Sequence, residues 1–248
     1  MTELLRVSGK NLGSLALAEH CPRCFWIQRL ATNGLPFQIF PGIFSSIDSF
    51  TKKVVHQWFD ATGAPRWLGS LGPLTGYVEP PHFSKFQVRD ATTGVLLTGA
   101  PDAIFTKADG SLVIADYKTA KFTDSQDALL AMYEVQLTAY AYIASKLGWA
   151  PISAIALIYA EPMTDLNDAA PGNAARDTGF FMPFKATVKP LPLDIGRVEP
   201  LLERFRRLVE LKTPPPGRPG CKDCQRVDGM VALMSAGGVS GTRVDERT

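Results

Sequence analysis

The sequence predicts one mixed α/β domain in which a β-meander leads into a long helix and then into further strands. Three observations carry this reading: strand-like runs separated by turns over residues 83–118, a helical pattern over 127–147, and a continuous apolar run over 152–159. A chain of 248 residues with 46 % hydrophobic and 20 % charged residues has an ordinary globular composition. At this length it buries roughly three-quarters of its unfolded surface. Its 26 Lys and Arg nearly balance 24 Asp and Glu, which together with the apolar content excludes a disordered chain. A net charge of +2 excludes a uniformly basic coat, so nucleic-acid binding would need local patches.

Residues 15–30 read as helical, broken at Cys21-Pro22 because proline cannot continue a helix from within. Residues 35–41 are apolar with two prolines and are expected to be extended. Over 45–61, Ile47, Phe50, Val54, Val55 and Trp58 recur at helical spacing and predict an amphipathic helix. Residues 63–81 are rich in Gly and Pro and predict loops with short strands. Strands are expected at 83–88, 95–106 and 112–118, the last two joined by a tight turn at Ala108-Asp109-Gly110. The helix at 127–147 ends at Gly148. Strand-like runs at 152–159 and 179–190 flank a polar loop at 165–177. A charged amphipathic helix at 193–212 turns Leu201, Leu202, Phe205, Leu208 and Val209 inward and stops at Pro214-Pro215-Pro216-Gly217. Residues 1–228 are expected to form the domain and 229–248 a loosely ordered tail.

No run of about 18 apolar residues is present, and residues 1–10 lack the features of a signal peptide. The expected location is cytoplasmic, with no membrane partner. In a reducing compartment, cysteines with two residues between them read as metal ligands or redox motifs.

Asp102 closes the sequence GAPD, and Asp116 and Lys118 stand in ADYK. The short hairpin between them makes their strands antiparallel neighbours. Residues 116 and 118 of a regular strand project from the same face. Two carboxylates and one ammonium are thereby gathered at the end of a buried strand, where unpaired charge is costly. Close carboxylates repel unless a cation lies between them, and oxygen ligands of this kind suit Mg²⁺ or Mn²⁺. The Tyr117 backbone carbonyl is a candidate extra ligand, and Lys118 could orient an attacking water or stabilise charge on phosphorus. Gln136 and Tyr140, four apart, share a helix face. His56 is either a half-buried core residue or a metal ligand.

The ordered set VVH56, GAPD102, D116-Y-K118 and Q136-x-x-x-Y140 resembles the PD-(D/E)XK nuclease superfamily, in particular its RecB-like branch, which includes iron–sulfur exonucleases of CRISPR adaptation. The resemblance implies a restriction-endonuclease-like core, a mixed sheet flanked by helices. It implies that Asp102, Asp116 and His56 bind Mg²⁺ or Mn²⁺, that Lys118 is the catalytic lysine, and that Gln136 and Tyr140 position metal, water and DNA. The implied reaction is phosphodiester hydrolysis, as an exonuclease on single-stranded DNA or DNA ends. The implied partners are DNA and other subunits of a repair or CRISPR-adaptation complex. A nuclease-fold subunit that only binds is the alternative.

Cys21-x-x-Cys24 and Cys221-x-x-Cys224 are the chain's four cysteines, and two such pairs suit either tetrahedral Zn²⁺ or a [4Fe–4S] cluster. The resemblance implies the cluster, joining the two ends of the domain. Relatives carry a CPR-type motif and three C-terminal cysteines; here Met230 stands at one of those positions, and Cys24 could supply the fourth thiolate. Seven basic residues against three acidic ones between 201 and 226 suggest a DNA-backbone edge containing Arg204, Arg207 and Lys222. A solvated helix face is the alternative.

Overall fold

The computed structural model describes residues 5–31, 41–121, 123 and 128–235. The extended segment expected at 35–41 lies outside them except for Pro41. The chain divides into two compact units, one of Met1–Leu17 with Ile39–Arg206 and one of Ala18–Gln38 with Arg207–Thr248. The expected domain 1–228 thus comprises parts of both.

In the first unit, β1 (Arg6–Ser8) leads into the short helix α1 (Gly9–Gly13), whose N-terminus is capped by the Ser8 hydroxyl accepting from the Asn11 N–H at 3.2 Å. The long helix α3 (Ile43–Thr62) follows, and buries Val55 and Phe59. Next come β2 (Leu74–Val78), β3 (Gln87–Arg89), β4 (Leu96–Thr98), β5 (Ala103–Lys107) and β6 (Leu112–Lys118). Helix α4 (Leu130–Lys146) connects β6 to β7 (Ile152–Pro162). A small excursion holds α5 (Pro171–Ala174), β8 (Ala175–Arg176) and β9 (Gly179–Phe180) before β10 (Phe184–Leu191) and α6 (Val198–Val209), whose residues from Arg207 on belong to the second unit. The second unit holds α2 (Pro22–Leu30) and α7 (Lys222–Ser235).

The main sheet runs in the order β10-β7-β6-β5-β2 and is mixed: β6 and β7 are parallel, and the other neighbours are antiparallel. Helices cover it, so the expected mixed α/β architecture of restriction-endonuclease type is the observed one. Strand β6 is its centre, and its apolar run is buried on both faces. Val113, Ala115 and Tyr117 face the cluster built by Val55 and Phe59 of α3 with Phe105 and Ile158. The alternate residues face α4, which is buried almost continuously from Val135 to Ala144. A helix with so many buried positions is a core helix. Its other side packs on α1, β3 and β4. Close approach of α1 depends on glycine: a Cβ on Gly13 would stand 2.3 Å from the Met132 carbonyl oxygen, and one on Gly9 2.8 Å from the Tyr140 ring.

Two expectations are corrected. The strand expected at 95–106 is two strands in different sheets: β4 joins β1 and β3, whereas β5 joins the main sheet. The break falls at Gly99-Ala100-Pro101-Asp102, where proline has no N–H for a ladder and a Cβ on Gly99 would meet Phe86 and Tyr140 at 2.8 Å. The first part of the loosely ordered tail expected at 229–248 is helical through Ser235, because Met230-Val231-Ala232-Leu233-Met234 extends α7, and 236–248 lie outside the described residues. Among the described residues, no helix is long and apolar enough to cross a membrane.

Candidate active site

The β5–β6 hairpin brings the two aspartates together. Its register pairs Ala103 with Ala115, so Asp102, one residue before β5, adjoins Asp116. Asp116 is only 3 % exposed. Its Oδ1 accepts from Gln136 Nε2 at 2.8 Å, and its Oδ2 accepts from the Lys118 ammonium. Residues 116 and 118 project from the same face of β6, and from there the Lys118 ammonium also lies 4.4 Å from the centre of the Tyr133 ring. On α4, Gln136 Nε2 donates to the Tyr140 hydroxyl at 3.1 Å, and the Ala100 backbone bonds to that hydroxyl. One helix face therefore holds both the strand carboxylate and the loop leading to Asp102.

Asp102 is held from two directions. Its Oδ2 accepts from the Tyr117 backbone N–H at 3.1 Å, and its Oδ1 from Lys52 Nζ at 2.9 Å. Lys52 also pairs with Asp48 at 3.1 Å. Burial, followed by the neighbouring Asp102 charge, pushes the Asp116 carboxyl up to about 6, against the pull of Lys118. Burial raises the Tyr140 and Tyr117 hydroxyls above their ordinary range, which keeps both neutral at pH 7.

A strand residue points its N–H and C=O to the same side, so the Tyr117 carbonyl lies on the Asp102 side with its N–H. Continued two steps, the register sets Pro101 opposite Tyr117, and proline offers that carbonyl no N–H. The Tyr117 phenol points the other way, into the α3-facing core, with its hydroxyl buried and unpartnered. Gln136 Oε1 is likewise buried without a partner. Two adjoining carboxylates, a carbonyl with no ladder donor and an unpartnered amide oxygen make an all-oxygen donor set, which fits a hard divalent cation.

His56 is placed elsewhere. Its Nδ1 lies 3.3 Å from Glu79 Oε1, and its ring stacks on Tyr77 with centroids 4.0 Å apart. Lys52, one turn earlier on α3, is the residue of that helix that meets Asp102. Sequence reasoning missed Lys52, Asp48 and Tyr133. The available signal was spacing: Lys52 is one turn from His56, and Tyr133 is three residues before Gln136. Of the expected DNA-binding residues, Arg204 Nη1 donates to the Leu15 carbonyl at 2.9 Å, while Arg207 and Lys222 belong to the second unit.

The four cysteines converge in the second unit, where their sulfurs all lie within 4.8 Å of one another. Among the described residues this is the group of three or more His, Cys, Asp or Glu side chains gathered closely enough to hold one metal ion.

No curated protein matches the chain in sequence. A solved structure described as "Crystal structure of SSO0001" superposes with a TM-score of 0.38 and 13 % identity, over 86 % of this chain and 80 % of that one. The family model described as PD-(D/E)XK nuclease superfamily matches residues 40–227, a span that contains α3, the Asp102 loop, β6 and α4. The chain belongs to the PD-(D/E)XK nuclease superfamily.

Proposed function

We propose that this protein is a Mg²⁺- or Mn²⁺-dependent deoxyribonuclease whose reaction centre is formed by Asp102, Asp116, Lys118, Gln136 and Tyr140. The observation that supports this most is the buried Asp116, which adjoins Asp102 and bonds both Lys118 on its own strand face and Gln136 from α4. Asp102, Asp116 and the Tyr117 carbonyl are the proposed metal ligands. His56 joins them only by turning away from Glu79. When bound, the cation supplies a water of lowered pKa and polarises a phosphate oxygen. Lys118, a donor without acceptor capacity, orients the attacking water and offsets negative charge growing on the phosphorus. Gln136 fixes the Asp116 carboxylate, and the neutral Tyr140 hydroxyl fixes Gln136. The RecB-like resemblance extends the proposal to exonuclease action on single-stranded DNA or DNA ends, in repair, recombination or CRISPR adaptation.

Lys118→Ala is the direct test, assayed on end-labelled single- and double-stranded DNA with Mg²⁺, Mn²⁺ or chelator. The variant is expected to lose roughly 10²–10³-fold in cleavage, the range for removing one preorganised donor that stabilises developing charge, while DNA binding persists. Cleavage at the native rate by the variant, or native cleavage undiminished by chelator, would refute the assignment.

A further inference from the structure

The sulfur positions bear on which metal the cysteines hold. Cys21 is the N-cap of α2, with Cys24 in the first turn; Cys221 directly precedes α7, with Cys224 in its first turn. The Sγ atoms of Cys21 and Cys224 are 3.4 Å apart, those of Cys24 and Cys224 3.4 Å, and those of Cys24 and Cys221 3.6 Å. A single tetrahedral zinc ion with bonds of about 2.3 Å sets its sulfurs about 3.8 Å apart. A [4Fe–4S] cube carries one thiolate on each of four irons, which sets those sulfurs roughly 6.5 Å apart. The widest limit here, 4.8 Å, falls well short of that. We infer that the second unit carries one structural zinc ion held by Cys21, Cys24, Cys221 and Cys224, and that the site does not fit the iron–sulfur cluster implied by the resemblance.

The surrounding backbone holds the sulfurs at this spacing. The Arg218 N–H donates to Cys21 Sγ at 3.3 Å. A Cβ on Gly217 would stand 2.8 Å from Cys224 Sγ, so the turn before the second pair lies directly on a sulfur. Gly220, at φ 69°, reverses the chain just ahead of Cys221. Opening the sulfurs to cluster spacing would have to displace this turn. Met230 takes no part: it is 41 % exposed on α7, beyond Cys224.

Charge and connectivity agree with a structural ion. Four thiolates around Zn²⁺ leave a net −2. Arg23 interacts with Cys224, and its guanidinium bridges from α2 to Asp228 on α7, with Nη1 donating to Oδ2 at 3.0 Å. The ion joins segments about 200 residues apart in sequence, and its binding energy becomes folding energy of the unit it closes.

The test uses the full chain, purified anaerobically from medium containing both iron and zinc, with elemental analysis, acid-labile sulfide assay and zinc-edge X-ray absorption. The expected result is one zinc per chain, no labile sulfide, and four sulfur neighbours at about 2.3 Å. Iron with stoichiometric sulfide, iron alone, or a native chain without metal would each overturn the inference. Cobalt exchange into the native chain gives a second readout: tetrahedral thiolate-bound cobalt has intense visible bands, and a folded chain that lacks them after exchange also overturns it. Zinc content does not depend on the first unit's chemistry, so DNA cleavage can fail while the zinc assignment stands, and the reverse.

Discussion

Replacing Asp116 with asparagine should stabilise the first unit while removing its activity. The carboxyl titrates near 6 in the folded chain, raised from the ordinary 3.8. Between those values the folded state holds a proton that the unfolded state has lost, so stability falls as pH rises. At about 1.36 kcal/mol per pKa unit, ionised Asp116 costs the native state about 3 kcal/mol at pH 8. About half of that cost has developed by pH 5. Asparagine keeps the shape and carries no charge, and its amide N–H can donate to Asp102 where two carboxylates now meet. At roughly 2–4 °C per kcal/mol for a domain of this size, Asp116→Asn should melt about 6–12 °C above the native chain at pH 8. The gain should halve at pH 5. Thermal unfolding in chelator, followed by fluorescence dominated by Trp58, Trp67 and Trp149 of the first unit, measures both values. An equal or lower melting temperature at pH 8, or a gain independent of pH, would refute the electrostatic account.

The same titration governs metal binding: below pH 6 a cation must displace the Asp116 proton, so the apparent Kd for Mn²⁺ should rise about tenfold for each unit by which the pH falls. A flat Kd between pH 4.5 and 6, measured by calorimetry, would exclude Asp116 as a ligand. Gly13→Ala should destabilise the first unit by about 1–3 kcal/mol, because its methyl group would meet the Met132 backbone oxygen of α4; a neutral denaturation midpoint would show that α1 can shift at no cost. Stripping metal with a strong chelator should unfold the second unit and shift Trp26 emission, since the indole N–H donates to the Leu211 carbonyl at 3.1 Å within that unit. Unchanged Trp26 emission after complete metal loss would mean that the second unit stands without its ion.

The sequence disclosed features that depend on local period. The apolar run at 112–118 and its buried position in the sheet were legible, as was the shared strand face of Asp116 and Lys118, because side chains alternate along a strand whatever surrounds it. Gln136 and Tyr140 were legible as a helix pair by the same kind of rule. The break between β4 and β5 was not, because Gly99 and Pro101 fit an ordinary turn until Phe86 and Tyr140 press on that backbone. Lys52 was not legible either. Its partner Asp102 is 50 residues away, and nothing local shows that the lysine meets the aspartate while His56 turns to Glu79.

By itself, then, the sequence determined the mixed α/β order, the Asp102, Asp116 and Lys118 set with its α4 partners, and the pairing of four cysteines. Tertiary structure decided which cation from α3 meets Asp102, how far burial raises Asp116, and how closely the sulfurs approach. Those quantities depend on through-space distance and on exclusion of water, which arise only when segments distant along the chain are packed together.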